Sequence, residues 1–173
     1  RQLARHLKML KDVPILISPY IHGKKQFGDQ AVTLEQHRES WDKVFRKING
    51  YVDIVAFQDG QVEFDELKDY MQANYELAKS NGLTCWSNVE TFDRDVKIKF
   101  PPIGWPKLLH KIQTAGKVGV DKLITFEFSH FLSPNSMYNS AHTLFDRYRE
   151  WIDEHCQQNN ITEDKTREFK ISI

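Results

Sequence analysis

At 173 residues, with 40% hydrophobic and 12% aromatic side chains, the chain can bury one good core and is too apolar for disorder. Its 24 basic and 24 acidic residues cancel, so no basic surplus points to nucleic acid or to an anionic membrane as partner. Two cysteines, Cys85 and Cys156, without CxxC spacing exclude a zinc ribbon and a dense disulfide framework, and no apolar run approaches the ~18–20 residues of a membrane span.

Leu3, Leu7 and Leu10 recur at helical spacing over Gln2 to Leu10, and Pro14 follows as a stop. The chain opens at Arg1 without Met, already in this helical pattern and with no signal peptide, which reads as a fragment whose upstream sequence has been removed. Ile15 to Tyr20 is short, apolar and bounded by proline, as a buried strand is. Thr33 and Gln36 predict a capping box for a helix carrying Leu34, Trp41, Val44, Phe45 and Ile48, closed by Gly50. A second strand runs from Val52 through Phe57 and stops at Gln58-Asp59-Gly60. The next helix uses Phe64, Leu67, Tyr70, Met71, Tyr75 and Ala78 and ends at Asn81-Gly82. Leu83 to Glu90 is the third strand, in which Cys85 reads as a buried thiol.

Pro106 suits the first turn of a helix with Leu108, Leu109 and Ile112 that ends between Gly116 and Gly119. Lys122 to Phe128 is the fourth strand, and the last helix carries Leu144, Phe145, Tyr148, Trp151 and Ile152. Residues 1–156 therefore form one βα body. Residues 157–173 read as a polar tail, with Phe169 to Ile173 a possible short strand.

Strand–helix alternation argues for a parallel sheet with right-handed crossovers. Helix-to-strand links are short, whereas Ile21 to Val32 and Thr91 to Trp105 are long strand-to-helix links. In βα folds the long loops gather at the C-terminal ends of the strands, where function resides. Period-two alternation puts Trp86, Asn88 and Glu90 on one face, as it does Leu16, Ser18 and Tyr20, and predicts the same inward face for Thr125 and Glu127. The set Ile124, Phe126 and Phe128 is then expected under the helices. One face turning polar toward the strand ends favours a TIM-type (β/α)8 barrel over an open doubly wound sheet. Four units are half of such a barrel, and their free edges need either the other half or a second copy.

Paired carboxylates in an aromatic cleft are the apparatus of glycoside hydrolysis. Glu90 is the leading candidate: it ends a strand, shares a face with Asn88, and meets a loop carrying Phe92 and Trp105. A structural hydrogen-bond network at a barrel top is the competing account of it. Asp59 is either catalytic or part of an Asp-Gly turn, and Glu127, between two phenylalanines, is either an acid with a raised pKa or one half of an ion pair. Tyr20, Trp86, Trp105 and Phe131 can stack on sugar rings or belong to the core. His22, His130 and His142 lack HxH or HExxH spacing, so no metal is expected. No phosphate loop or GxSxG elbow is present, and no cofactor is expected.

The segments Ile17 to Tyr20, Ile54 to Gly60 with its QDG, Trp86 to Phe92 with its WxNVExF, and Phe126 to Phe128 together resemble a bacterial family of TIM-barrel, glycoside-hydrolase-like domains of unknown function. The likeness runs from Val13 to Trp151. It implies a (β/α)8 fold with these strands as the fifth to eighth, a carbohydrate substrate, and export to the periplasm or cell surface. Glu90 would then be the nucleophile, assisted by Asp59 and Glu127, and Tyr20, Gln58, Trp86, Asn88, Trp105 and His130 would contact sugar. The acid/base would lie on a strand absent from this chain. The alternative is a non-catalytic carbohydrate-binding or interaction module on a degenerate barrel.

Overall fold

The computed structural model describes residues 2–23, 28–94, 97 and 99–158. Within them run α1 (Gln2–Leu10), β1 (Leu16–Ile17), a 3-10 turn (Gly28–Gln30), α2 (Leu34–Ile48), β2 (Ile54–Gln58), α3 (Phe64–Ser80), β3 (Thr84–Glu90), α4 (Trp105–Val118), β4 (Lys122–Phe126), α5 (Phe128–Phe131) and α6 (Asn139–Gln158). The strands form one parallel sheet in the order β1-β2-β3-β4, so each helical crossover returns the chain to the next position in the sheet.

The ends of these elements follow from local chemistry. Thr33 Oγ1 accepts the Gln36 N–H at 3.2 Å and Gln36 Oε1 accepts the Thr33 N–H at 3.0 Å, closing the expected capping box. Gly119 stops α4 at φ 87°, a left-handed conformation that glycine adopts without penalty. At the opposite ends of the strands two aspartates repeat one device. Asp53 accepts the Ile15 N–H at 2.7 Å and Lys8 Nζ at 2.8 Å, and Asp121 accepts the Cys85 N–H at 3.0 Å and Lys79 Nζ at 2.9 Å. Hydrogen bonds from Lys8 and Lys79 hold both carboxyls below the usual range. Each aspartate thus ties a strand start to the strand before it and to a helix.

The core lies on one face of the sheet. Phe45, Val55, Phe57, Leu67, Tyr70, Met71 and Cys85 form the larger cluster, and Val89, Ile103, Leu108, Leu132 and Leu144 a smaller one, with Leu123 packed against both. Cys85 is a buried thiol pushed up to about 12 by desolvation, so it stays protonated and inert. His37 of α2 is buried beside Asn74 of α3, with Nε2 2.6 Å from Asn74 Oδ1 and its ring against Phe57 and Tyr70. Burial lowers His37 below 6.5, outweighing the Asn74 hydrogen bond, and His22 and Arg38 add to the lowering. The unfolded chain therefore takes up the proton first, so His37 withdraws stability as pH falls below its unfolded value. Urea midpoints measured at about pH 7.5 and about pH 5.5 should fall with acidification more steeply in the wild type than in His37→Gln. Equal slopes would remove His37 from the account.

The other face is open. On this parity several strand residues remain accessible among the described residues, Leu16 at 37% and Phe126 at 49%, with Ile54, Trp86 and Ile124 half-buried, whereas Ala56, Asn88 and Glu90 are buried. The register corrects the expected parity of β4. Trp86 pairs with Lys122, Asn88 with Ile124 and Glu90 with Phe126, so Ile124 and Phe126 share the open face, while Leu123 packs on the core and Thr125, exposed at the strand end, has its parity. A polar end-of-strand residue had suggested the reverse. Thr125 carries no such signal, because β4 ends at Phe126 and Glu127 already caps α5. That one-turn helix replaces the last two expected strand residues. The expected tail begins inside α6, which runs to Gln158, and residues 159–173, with the possible strand, lie outside the described residues. Among the described residues no helix is long and apolar enough to cross a membrane.

Candidate active site at the strand ends

Asp59 follows the last residue of β2 and opens a turn closed by the Val62 N–H on its carbonyl at 3.3 Å. The turn expected for Asp-Gly is present, and the side chain does a second job. Asp59 Oδ1 accepts the Glu90 N–H at 2.9 Å and Lys111 Nζ at 2.8 Å, and Lys111 also donates to the Glu90 carbonyl at 2.9 Å. Asp59 and Lys111 are buried, and Asp59 Oδ2 has no partner among the described residues. This ion pair clamps the main chain of Glu90 on both sides from α4.

The Glu90 side chain is itself 0% exposed. Its carboxylate lies against the α-carbon of Gly60 and takes a two-pronged contact from Arg94, Nη2 to Oε1 at 2.6 Å and Nε to Oε2 at 3.1 Å. Burial raises the Glu90 carboxyl above its ordinary value, Arg94 opposes that rise, and neighbouring Asp59 adds to it. The Arg94 guanidinium is partly exposed and sits 5.3 Å from the ring centroids of Tyr20 and Phe92 and 5.9 Å from that of Phe100. Arg94 is thus the lid on Glu90, held in an aromatic setting. Phe92 also meets Phe126 and Phe131 at 6.1 and 4.8 Å, extending the aromatic wall across the ends of β3 and β4.

On the open face, Gln58 Nε2 donates to the Ser18 carbonyl at 2.6 Å, and Asn88 Nδ2 to Ser18 Oγ at 2.9 Å. Asn88 Oδ1 is buried with no partner among the described residues. Lys122 Nζ lies 5.4 Å from the half-buried Trp86 ring. On the next strand end, Glu127 Oε1 accepts the His130 N–H at 2.8 Å and also meets His130 Nδ1.

The three carboxylates therefore sit at three successive strand ends but keep separate partners: Lys111 for Asp59, Arg94 for Glu90 and His130 for Glu127. Tyr20, Gln58, Trp86 and Asn88 lie on the open face. Trp105 does not join them; it opens α4 and packs against the smaller core cluster, because Gly104 caps the helix one residue before it. Among the described residues no three His, Cys, Asp or Glu side chains gather as metal ligands. Sequence reasoning missed Lys111 and Arg94. Lys111 had a visible signal, since it lies on the stripe Leu108, Lys111, Ala115 and Val118 that α4 buries.

The model of a family of domains of unknown function, DUF4434, matches residues 1–138. Among solved structures the chain is similar to one described as a "putative alpha-L-fucosidase from Bacteroides thetaiotaomicron", with 44% identity and a TM-score of 0.84 over 88% of this chain and 48% of that one. The chain thus spans about half the length of that relative. No curated protein matches it.

Proposed function

The chain belongs to the DUF4434 family, and on that premise we propose that it contributes four βα units to a (β/α)8 barrel that hydrolyses a glycoside at its strand ends. A sheet whose hydrophobic clusters lie on one face, edges at β1 and β4 that carry no further strand among the described residues, and a relative of about twice the length support the barrel. The other four units come from a half-barrel outside these residues or from a second copy. Export to the periplasm or cell surface goes with this reading.

The observation that carries the chemistry is Glu90, which ends β3 on the open face beneath an aromatic rim. In this reading Glu90 is the nucleophile toward the anomeric carbon, and Arg94 neutralises it until substrate displaces the guanidinium. Asp59 positions Glu90 through its backbone N–H, with Lys111 holding Asp59. Tyr20 and Trp86 offer ring faces to a sugar, and Asn88 Oδ1 offers a hydroxyl an unsatisfied acceptor. The name of the solved relative makes an α-L-fucoside the first substrate to try. Glu90→Gln in the full-length protein should lower kcat on an aryl α-L-fucoside on the order of 10³-fold or more, while fucose binding by calorimetry persists. Unchanged turnover sinks the assignment.

One observation favours a second reading, a carbohydrate-binding module without catalysis: Glu90 has no exposed area and Arg94 engages both its oxygens. Sugar binding without turnover in the wild-type protein would select it.

A further inference from the structure

The end of β4 carries a second arrangement that the Glu90 reading leaves unused. Glu127 would need only one contact to cap α5, the His130 N–H at 2.8 Å. The same oxygen, Oε1, also meets the His130 ring at Nδ1. A carboxylate can only accept, so Nδ1 is the donor in this contact and Nε2 is the nitrogen left to take up or give up a proton. The His130 side chain is 65% exposed, and no described residue hydrogen-bonds Nε2. An imidazole held by a carboxylate at one nitrogen and open to solvent at the other is the base–orienter half of a catalytic triad.

Its surroundings fix it further. Ser136 Oγ donates to the His130 carbonyl, and His142 Nε2 lies 2.7 Å from the Ser136 carbonyl, so the loop after α5 is tied back on itself. Thr91, next to Glu90, donates its N–H to the Phe126 carbonyl at 2.8 Å and its Oγ1 to the Glu127 carbonyl at 3.1 Å. The backbone carrying the pair is therefore stitched to the residue after Glu90. The rim ring Phe131 lies 6.0 Å from the His130 ring and 4.8 Å from Phe92.

We propose that Glu127 and His130 act as a carboxylate–imidazole dyad in which His130 Nε2 is the proton-transferring group for the glycoside hydrolysis assigned to these strand ends. The inference rests on that reading and supplies, inside this chain, an acid/base that the family resemblance places elsewhere. In the first step the Glu90 carboxylate forms a bond to the anomeric carbon as the bond to the leaving oxygen breaks, and the proton of the His130 imidazolium passes from Nε2 to that oxygen. In the second, water attacks the anomeric carbon, gives a proton to Nε2, and Glu90 departs with the bonding pair. Glu127 is a positioning residue, accepting from Nδ1–H throughout.

Full-length wild-type, His130→Ala and Glu127→Gln proteins should be compared on a dinitrophenyl and a methyl α-L-fucoside. His130→Ala should lose about 10²–10⁴-fold on the methyl glycoside, whose leaving group needs a proton, and far less on the dinitrophenyl one, with added azide restoring turnover on the latter. Equal losses on both substrates, or none, overturn the proposal while leaving Glu90 standing. Wild-type protein inert on both, and on a panel of other aryl glycosides, defeats the hydrolase reading and the dyad with it. Glu127→Gln keeps an oxygen to cap α5 but removes the negative charge, and ¹⁵N spectra should show the His130 preference for Nδ1–H weakened relative to the wild type. An Nε2–H tautomer already in the wild type also overturns the dyad.

Discussion

Lys111→Met is expected to lower the free energy of unfolding by about 3–5 kcal/mol, the cost of leaving one partner of a buried ion pair alone. Methionine fills the space of the lysine stem, so little of the loss would come from a cavity. What remains is the Asp59 carboxylate, 0% exposed, still accepting the Glu90 N–H but without its cation. The orphaned Asp59 Oδ2 makes this worse, since among the described residues nothing else compensates that oxygen. Adding Asp59→Asn to Lys111→Met removes the stranded charge and should recover most of the loss, because removing both charges of a buried pair is commonly close to neutral. Urea unfolding of the wild type, both single variants and the double variant measures the coupling directly. A Lys111→Met protein within about 1 kcal/mol of the wild type would show that the pair is not what holds the ends of β2 and β3 together.

This pair also shows where the sequence stopped being legible. The βα alternation, the Thr33–Gln36 box and the long loops at the strand ends are local, written in spacing and cap chemistry, and they appear where expected. The parity of β4 was lost because a five-residue strand gives alternation little to work with. The polar residue used to set its face, Glu127, belongs to the next helix. Glu90, Asp59 and Glu127 could be placed at strand ends from the sequence, but their partners could not. Lys111 is 52 residues from Asp59 and reaches it only because α4 packs over β3. Arg94 is four residues from Glu90, yet in a loop, where spacing carries no rule about direction. Charge–charge pairing at a barrel top is a tertiary fact, and only the apolar stripe of α4 with a lysine in it hinted at one.

Gly60→Ala tests the strand ends from the other side. The Asp59-Gly60 step reads as an ordinary turn, and Gly60 does not have the positive φ that Gly50, Gly82 and Gly119 have. Space is what it supplies. A methyl group there would stand 1.6 Å from Glu90 Oε2 and 2.2 Å from its carboxyl carbon, far inside contact distance. An exposed glutamate would turn aside at little cost. Glu90 is fully buried and held in two-pronged fashion by Arg94, so the added methyl must break that contact or push the β2–α3 turn away from β3. Overpacking of this kind costs about 1–3 kcal/mol, to be read from the shift in urea midpoint, and turnover should fall as far as in Glu90→Gln, because the carboxylate is displaced rather than deleted. Arg94→Ala added to Gly60→Ala separates the two consequences. With the clamp gone Glu90 can move outward, so the double variant should regain part of the stability while turnover stays low. If Gly60→Ala alone is as stable and as active as the wild type, the carboxylate has another resting place and the close packing of Glu90 on Gly60 has no bearing on its role.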